Sequence, residues 1–233
     1  MKISIIIPVY NEAKTISRVV MAVRAASFGA PAEREIIVVD DGSSDGTGNI
    51  ISSLSGVVSV SHAVNQGKGA AVKTGMQEAT GDFVLIQDAD EEYDVGDYPK
   101  IFKPLFEGRA DVVFGNRFHG EAHTVRYFRN YVGNKFLTFL SNACTGVNLG
   151  DIEVGYKAFR KEVIDAFKSN LQSKRFGIEP ELVARVARGG WRVAEVPVNY
   201  YGRTYEEGKK IGVWDGIKAI VAIIYFNFFA RQR

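Results

Sequence analysis

The sequence predicts an α/β fold in which a mostly parallel central sheet is flanked by helices. Short apolar runs alternate with segments of helical spacing, beginning with ISIIIPV, NEAKTISRVVMAVRAA and EIIVVD, and this alternation is typical of parallel sheets. The runs are also apolar on both faces, as expected for strands that helices cover on both sides. With 233 residues, 46% of them hydrophobic, the chain is long enough to bury one large core.

The remaining elements follow in order along the chain. We expect a helix from DGTGNIISSL, the strand VVSVSHA, a helix over 69–79, the strand DFVLIQD, a helix over 98–106 and the strand ADVVFGNR. Beyond residue 117 the pattern predicts a helix over 131–142, the strand GYKAFR, a helix from about residue 180, the strand RVAEVPVNY and an apolar last helix. Neither a repeat nor a linker divides the chain, so we expect a single domain over 1–233.

Charge and cysteine content exclude several classes of protein. The formal net charge is +2 at pH 7, which gives no general attraction to nucleic acid, so we expect no nucleic-acid partner. The single cysteine, Cys144, cannot form an internal disulfide, and no signal pattern opens the chain, which predicts a cytoplasmic location. The run IKAIVAIIYFNFFA contains Lys218 and Asn227 and is shorter than the ~20 residues of a membrane-spanning helix. We interpret it as a buried or surface-lying helix.

The strongest local signal is DFVLIQDADEEYD, in which an apolar strand leads directly into carboxylates. Asp88, Asp90 and Glu92 alternate, so in extended chain their side chains project to the same side. Neighbouring carboxylates repel one another unless a cation or protons intervene, and carboxylates with waters and phosphates are the ligands that Mg²⁺ or Mn²⁺ takes. An acidic surface loop is the alternative, and it explains Glu91, Glu92 and Asp94 better than the two aspartates beside the strand.

Other polar segments follow the predicted strands, where ligands bind in open parallel sheets. They read PVYNE, DDGSSDGT and NQGKGAA. Asp40 ends an apolar strand and can accept hydrogen bonds from a base or ribose, although a turn and helix-cap role is equally open. For Asp41, Ser43 and Asp45 the turn and cap role is favoured. The glycines of NQGKGAA and Lys68 suit a phosphate group, but the spacing of a P-loop is absent.

In their order and spacing, IIIPVYNE, VVDDGSSDGT, NQGKGAAVKTGM, GDFVLIQDAD and VVFGNRF resemble the family 2 glycosyltransferases of the GT-A fold, a single Rossmann-like domain. Within them the chain is similar to the dolichyl- or polyprenyl-phosphate sugar synthases. The resemblance implies inverting transfer of a hexose from GDP-mannose or a UDP-sugar to a polyprenyl or dolichyl phosphate, with Mg²⁺ or Mn²⁺ as cofactor. It implies a nucleotide- and metal-binding half over 1–117, an acceptor-binding half over 118–212 and an apolar helix over 213–233.

The resemblance also implies roles for individual residues. The nucleotide site would contain Pro8, Tyr10, Glu12, Asp40, Lys68, Asp88 and Ala89, and the metal site Asp88, Asp90 and Glu92. The acceptor phosphate would contact Arg117, Arg129, Arg203 and Lys209. The catalytic residues would be Asp90, Arg117, Asp151 and Glu153. The last two lie in DIEVGYKAF, which resembles TDMETCYKAF of the family but departs from it at three positions. A turn with exposed carboxylates is the alternative for this segment.

The two classes of acceptor make different demands of the site. A lipid phosphate is largely ionised at neutral pH and needs no protein base, whereas a saccharide hydroxyl needs one, for which Asp151 or Glu153 is the candidate. A lipid acceptor would also favour peripheral contact of the last helix with the cytoplasmic face of a membrane. Packing on the sheet or a subunit interface is equally open for that helix. A non-catalytic module that binds sugar nucleotides is the alternative of another class.

Overall fold

The computed structural model describes residues 1–119, 128–202 and 213–230. In this part of the chain one seven-stranded sheet has the order β3-β2-β1-β4-β6-β5-β7. Its strands are β1 (Lys2–Val9), β2 (Glu33–Asp40), β3 (Val58–Ser61), β4 (Phe83–Ile86), β5 (Val112–Asn116), β6 (Lys157–Arg160) and β7 (Val193–Pro197). Only β6 runs antiparallel to its neighbours, β4 and β5, and the other pairs are parallel. The predicted α/β fold with a mostly parallel sheet is therefore confirmed.

The helices pack on the sheet and on one another. They are α1 (Ile16–Ala25), α2 (Thr47–Ser53), α3 (Lys68–Glu78), α4 (Tyr98–Phe106), α5 (Phe128–Thr145), α6 (Lys161–Phe167), α7 (Ile178–Arg188) and α8 (Val213–Ile224), which continues as a π-helical turn, Tyr225–Phe229. α3 packs on β1 and β2, α4 packs on β5 and β7, and α5, α7 and α8 pack against one another. Within the described residues, no helix combines the length and apolar character needed to cross a bilayer.

The core lies where the apolar runs predict it, around the central strands. Ile5, Ile6 and Val38 are fully buried, because β1 and β2 are covered on both faces. α3 lies so close to β1 that a Cβ at Gly75 would collide with the side chain of Ile6. This close packing sets the first turn of α3 beside the carboxyl ends of the strands.

The structure differs from the expected elements in three places. α1 begins at Ile16 rather than near Asn11, because residues 11–15 bond to neighbouring loops instead of continuing the helix. α6 follows β6 directly and was not predicted. The last helix, which could have packed on the sheet, instead packs mainly on α5 and α7.

Candidate active site

The loops after β1 and β2 bind each other at the carboxyl edge of the sheet. Asn11 adopts a left-handed conformation with φ 54°, and its backbone N–H donates to Ser43 Oγ at 2.9 Å. The N–H of Ser44 donates in return to Asn11 Oδ1 at 2.8 Å, and the N–H of Glu12 donates to Thr47 Oγ1 at 3.0 Å. The polar residues that follow the two strands therefore form one connected surface.

Most of the residues predicted to bind the nucleotide lie on this surface or beside it. Pro8 pairs with β2 in the sheet, and the neighbouring Tyr10 is 38% exposed. Thr15 Oγ1 donates to Glu12 Oε2 at 3.1 Å and to the carbonyl oxygen of Ala89 at 2.7 Å. Through Thr15 the first loop therefore touches the acidic segment that follows β4.

Asp40 closes β2 and is 5% exposed. Its Oδ1 accepts a hydrogen bond from the N–H of Ser43 at 3.0 Å, so the turn role is confirmed. Its Oδ2 would lie 2.9 Å from a Cβ at Gly48, which shows how closely α2 approaches this carboxylate. A role for Asp40 in holding a base or ribose stays a prediction.

Asp41 is buried and organises the segment that precedes α3. Its Oδ1 lies 2.7 Å from His62 Nδ1 and accepts from the N–H of Gln66 at 2.9 Å. Its Oδ2 accepts from the N–H of Gly67 at 2.6 Å and from Asn65 Nδ2 at 2.9 Å. The sequence favoured a turn role for Asp41 and did not predict that it holds the glycine-rich segment in place. Its position directly after a buried strand was the available signal.

Lys68, the first residue of α3, joins the acidic segment to α7. Its Nζ lies 2.7 Å from Asp88 Oδ1 and 3.0 Å from Glu179 Oε1. The other oxygen of Glu179 pairs with Lys157, which is fully buried in β6. Burial lowers the pKa of Lys68, but the charges of Asp88 and Glu179 outweigh it and raise that pKa above its ordinary value. Lys68 is therefore a fixed cation beside the acidic segment.

The three acidic residues predicted to bind a metal face different partners. Asp88 pairs with Lys68, Asp90 Oδ1 accepts from the N–H of Glu92 at 3.3 Å, and Glu92 Oε2 accepts from the hydroxyl of Tyr200 at 2.7 Å. Across the described part of the chain, no three His, Cys, Asp or Glu side chains are arranged to hold a metal. The half-buried Asp90 fits an ion that takes one or two carboxylates and completes its shell with phosphates and water.

Arg117 follows β5 and forms a two-pronged ion pair with Asp151. Nε lies 2.6 Å from Oδ2, and Nη2 lies 2.8 Å from Oδ1. Asp151 is fully buried and also accepts from Asn134 Nδ2 at 3.1 Å. Burial alone would raise the pKa of Asp151, but the charge and hydrogen bonds of Arg117 lower it below its ordinary value. The predicted alternative of an exposed carboxylate is therefore wrong for Asp151, and its pairing disfavours a role as general base.

Glu153 has the opposite character. Its Oε1 is buried and has no hydrogen-bond partner among the described residues. Burial and the nearby negative charge of Glu179 raise the pKa of Glu153 to about 7. Of the two carboxylates predicted as a general base, Glu153 is the one that can exchange a proton near neutral pH.

Tyr200 connects Arg117 to the acidic segment. The guanidinium carbon of Arg117 lies 5.1 Å from the centre of the Tyr200 ring, a distance at which a cation and an aromatic face attract. The Tyr200 hydroxyl donates to Glu92. A second cation is close by, because Lys135 Nζ lies 4.3 Å from the centre of the Phe118 ring. The cations and the acidic segment therefore belong to one site.

The profile of "Glycosyl transferase family 2" matches residues 4–167 of the chain. The match includes the loops after β1, β2 and β4 and the segment that carries Asp151 and Glu153. The chain belongs to glycosyl transferase family 2. The predicted family and the prediction of a glycosyltransferase are both confirmed.

Curated relatives and solved structures agree with this family. Glycosyltransferase AglJ of Haloferax volcanii is 33% identical over 202 residues, which cover 86% of this chain and 63% of AglJ. The chain therefore spans less than two thirds of the length of that relative. The UDP-N-acetylglucosamine–dolichyl-phosphate N-acetylglucosaminyltransferase of Methanococcus voltae is 26% identical, covering 95% and 94% of the two chains. Glucosyl-3-phosphoglycerate synthase of Mycobacterium tuberculosis superposes with a TM-score of 0.73 at 20% identity, covering 97% and 80%, which shows the fold.

Three residues predicted to contact the acceptor phosphate stay predictions, and two residues near Arg117 were missed. Arg129 is exposed in the first turn of α5, and Arg203 and Lys209 lie outside the described residues. Lys135 and Tyr200 were missed, because the sequence around each carries no motif. Their positions depend on how α5 and the segment after β7 pack beside Arg117.

Proposed function

We propose that this family 2 glycosyltransferase transfers a hexose from GDP-mannose or a UDP-sugar to a polyprenyl or dolichyl phosphate, with inversion at the anomeric carbon. The observation that carries the proposal is Arg117, a cation fixed by Asp151 and linked through Tyr200 to the acidic segment. A fixed guanidinium is well suited to a phosphate group. The name of the Methanococcus voltae relative, which includes dolichyl phosphate, supports the same class of acceptor.

The donor nucleotide would lie across the carboxyl ends of β1, β2 and β4. Pro8, Tyr10, Glu12, Asp40 and Ala89 would line the base and ribose. Lys68, whose raised pKa keeps it charged, would face the diphosphate. Its bonds to Asp88 and Glu179 hold it in the first turn of α3, and the N-terminus of a helix favours an anion.

Asp90 would hold a bound Mg²⁺ or Mn²⁺ together with the donor phosphates, and Asp88 or Glu92 would join it after releasing its present partner. When bound, such an ion neutralises the charge that develops on the leaving diphosphate. Asp90 lies beyond the carboxyl end of β4, so its backbone is anchored by a buried strand. That anchoring supports Asp90 as the carboxylate on which the reaction depends.

The acceptor phosphate would bind at Arg117, with Lys135 nearby and Arg129, Arg203 and Lys209 as further predicted contacts. An oxygen of the acceptor phosphate forms the bond to the anomeric carbon while the bond from that carbon to the nucleoside diphosphate breaks. No proton has to be removed, because a phosphate monoester is largely ionised at neutral pH. Arg117 would orient the attacking oxygen.

A saccharide hydroxyl is the second candidate acceptor, and Glu153 is the observation that favours it. A hydroxyl must lose its proton as it attacks, and a carboxyl group with a pKa of about 7 is well matched to accept it at neutral pH. The buried Oε1 of Glu153 has no hydrogen-bond partner among the described residues. This oxygen would accept the proton of the hydroxyl.

Glu153→Gln distinguishes the two acceptors. If the acceptor is a phosphate, we expect turnover within a few-fold of the unchanged protein. If the acceptor is a hydroxyl, turnover should fall by roughly 10²–10⁴-fold, because the general base is removed. Glu162→Gln, at an exposed glutamate of α6, is the matched control.

The same variant tests the environment of Glu153 by its effect on stability. The pKa of this carboxyl is raised from 4.5 to about 7 on folding, so the folded state holds the proton more tightly. The stability this gives is fully present below about pH 4.5 and is lost as the pH rises through about 7, in total on the order of 3 kcal/mol. Urea unfolding between pH 4 and 8 should show that the free energy of unfolding falls less with rising pH in Glu153→Gln than in the unchanged protein. Equal pH dependence of the two proteins would contradict the raised pKa.

The activity itself is tested by measuring release of nucleoside diphosphate from a panel of GDP- and UDP-sugars with MgCl₂ or MnCl₂. We expect release with one donor that depends on both the metal and a polyprenyl phosphate. Metal-dependent release that ignores the lipid would contradict the lipid acceptor and favour a saccharide hydroxyl. Metal-independent binding with no turnover for any donor would favour the non-catalytic binding module.

A further inference from the structure

Helix α5 carries a stripe of exposed apolar side chains. The stripe consists of Phe128, Val132, Phe136 and Phe139. Their spacing of three or four residues places them on one side of the helix. Phe128 and Phe139 are 78% and 70% exposed, so the described parts of the chain leave this side of α5 uncovered.

Helix α8 and the π-helical turn after it carry a second stripe. It consists of Trp214, Ile217, Val221, Ile224, Tyr225, Phe228 and Phe229. α8 packs directly against α5, so the two stripes lie on neighbouring helices. We call the two stripes together the α5–α8 apolar face.

The α5–α8 apolar face is unusual for the surface of a soluble protein. In the described part of the chain it holds 11 of the 18 exposed large hydrophobic residues. Scattered single residues of this kind are normal, whereas a concentration of them marks a surface that contacts a protein or a membrane.

The buried side of α5 borders the proposed acceptor site, and Lys135 lies at the edge between this side and the apolar stripe. Asn134 donates to Asp151, Lys135 donates to the carbonyl oxygen of Gly150 at 2.9 Å, and Thr138 Oγ1 accepts from the N–H of Ile152 at 3.3 Å. One helix therefore presents apolar side chains outward and fixes the partner of Arg117 inward. A molecule with an apolar chain and a phosphate could contact both sides of this region.

We propose that the α5–α8 apolar face docks on the surface of a bilayer that contains anionic lipids, an inference that rests on the proposed lipid acceptor. Aromatic and aliphatic side chains beside cations are the composition of helices that lie in the membrane interface. α5 contains two cations, Arg129 and Lys135, and no acidic residue. On α8, Lys218 is 69% exposed, whereas its only acidic residue, Asp215, is 24% exposed and lies 3.6 Å from Lys218.

Further cations border the end of α8. Tyr225 donates to Gln172 Oε1 at 3.1 Å, which places the segment before α7 next to the π-helical turn. That segment contains the exposed residues Lys174, Arg175 and Phe176. The charge around the face is therefore complementary to anionic headgroups, and it disfavours a second copy of this chain, whose equivalent face would carry the same positive charge.

Sedimentation with vesicles of phosphatidylglycerol and phosphatidylcholine at physiological salt tests this proposal. We expect the unchanged protein to pellet with the vesicles, and Phe139→Ser combined with Trp214→Ser to lower the partition coefficient by roughly tenfold or more. Both side chains are at least 70% exposed, so the double variant should still fold. Met21→Ser, at an apolar residue of α1 that is 55% exposed, is the matched control and should pellet like the unchanged protein.

Three outcomes would overturn the proposal. The first is that the unchanged protein does not pellet, and the second is that the double variant pellets equally well. The third is that light scattering shows a dimer of the unchanged protein and a monomer of the double variant, while neither protein pellets with vesicles. Vesicle binding requires no turnover, so a failure of the proposed function leaves this measurement intact. Conversely, activity on a short, water-soluble prenyl phosphate should be the same in the double variant, since that acceptor needs no bilayer.

Discussion

Asp90→Ala should reduce metal-dependent release of nucleoside diphosphate by roughly 10³-fold or more, because it removes electrostatic stabilisation of the leaving group. Asp90 is half-buried, and its Oδ1 accepts a hydrogen bond from the N–H of Glu92, which restrains the carboxylate before any ligand binds. Turnover with saturating donor and acceptor, measured at several MnCl₂ concentrations, gives the size of the loss. Calorimetric titration of Mn²⁺ into the protein with nucleoside diphosphate should show weaker binding.

Asp165→Ala is the control for this experiment, since Asp165 is an exposed residue of α6 whose side chain pairs with Lys168 in the next turn. It should retain full turnover and metal affinity. An Asp90→Ala protein with more than a tenth of normal turnover and unchanged Mn²⁺ binding would show that Asp90 does not hold the ion. Asp88 and Glu92 would then be the carboxylates to test.

Arg117→Ala should lower both activity and stability. The change leaves Asp151 buried without its cation, and an uncompensated buried charge costs about 3–5 kcal/mol. Chemical denaturation at pH 7 measures the loss of stability, and release of nucleoside diphosphate measures the loss of turnover. Arg192→Ala is the matched control, because Arg192 makes a similar pair with Asp111 but is 58% exposed, and its denaturation midpoint should hardly change.

The pair of Arg117 and Asp151 also predicts a pH dependence. The pKa of Asp151 is lower in the folded protein than its ordinary value of 3.8, so its contribution to stability is present above about pH 4 and is lost as the pH falls through the folded pKa. Asp151→Asn should remove that part of the acid sensitivity. If Arg117→Ala and Arg192→Ala were equally stable, the buried pair would not contribute as the structure indicates.

The Arg117 and Glu153 variants distinguish a phosphate acceptor from a hydroxyl acceptor, which membership of the family alone does not decide. Membership of glycosyl transferase family 2 shows a glycosyltransferase but leaves the donor and acceptor open. Arg117 and Lys135 favour an acceptor that carries a phosphate. Glu153, whose Oε1 has no hydrogen-bond partner in the described part of the chain, favours a hydroxyl. For a phosphate acceptor, Arg117→Ala should therefore lower turnover far more than Glu153→Gln does. For a hydroxyl acceptor, Glu153→Gln should also lower turnover strongly.

The sequence by itself determined the order of the strands along the chain and the positions of the polar loops that follow them. Apolar periodicity is a local property, so β1, β2 and β4 were recognised from runs of a few residues. The ordered motifs at the ends of these strands were also sufficient to place the chain in its family. The start of α1 was predicted too early, because hydrogen bonds between loops keep residues 11–15 out of the helix. Helix α6 was not predicted, because it is a short segment directly after β6.

Only the tertiary structure decided which charges meet and which side chains remain exposed. Glu92 and Tyr200 lie 108 positions apart, and nothing local to either residue indicates that they bond. Asp151 and Glu153 are two residues apart, yet the pKa of one is lowered and that of the other is raised. Asp151 is paired with Arg117, whereas burial and the charge of Glu179 dominate at Glu153. The apolar stripes of α5 and α8 likewise lie on neighbouring helices only because these distant segments pack together.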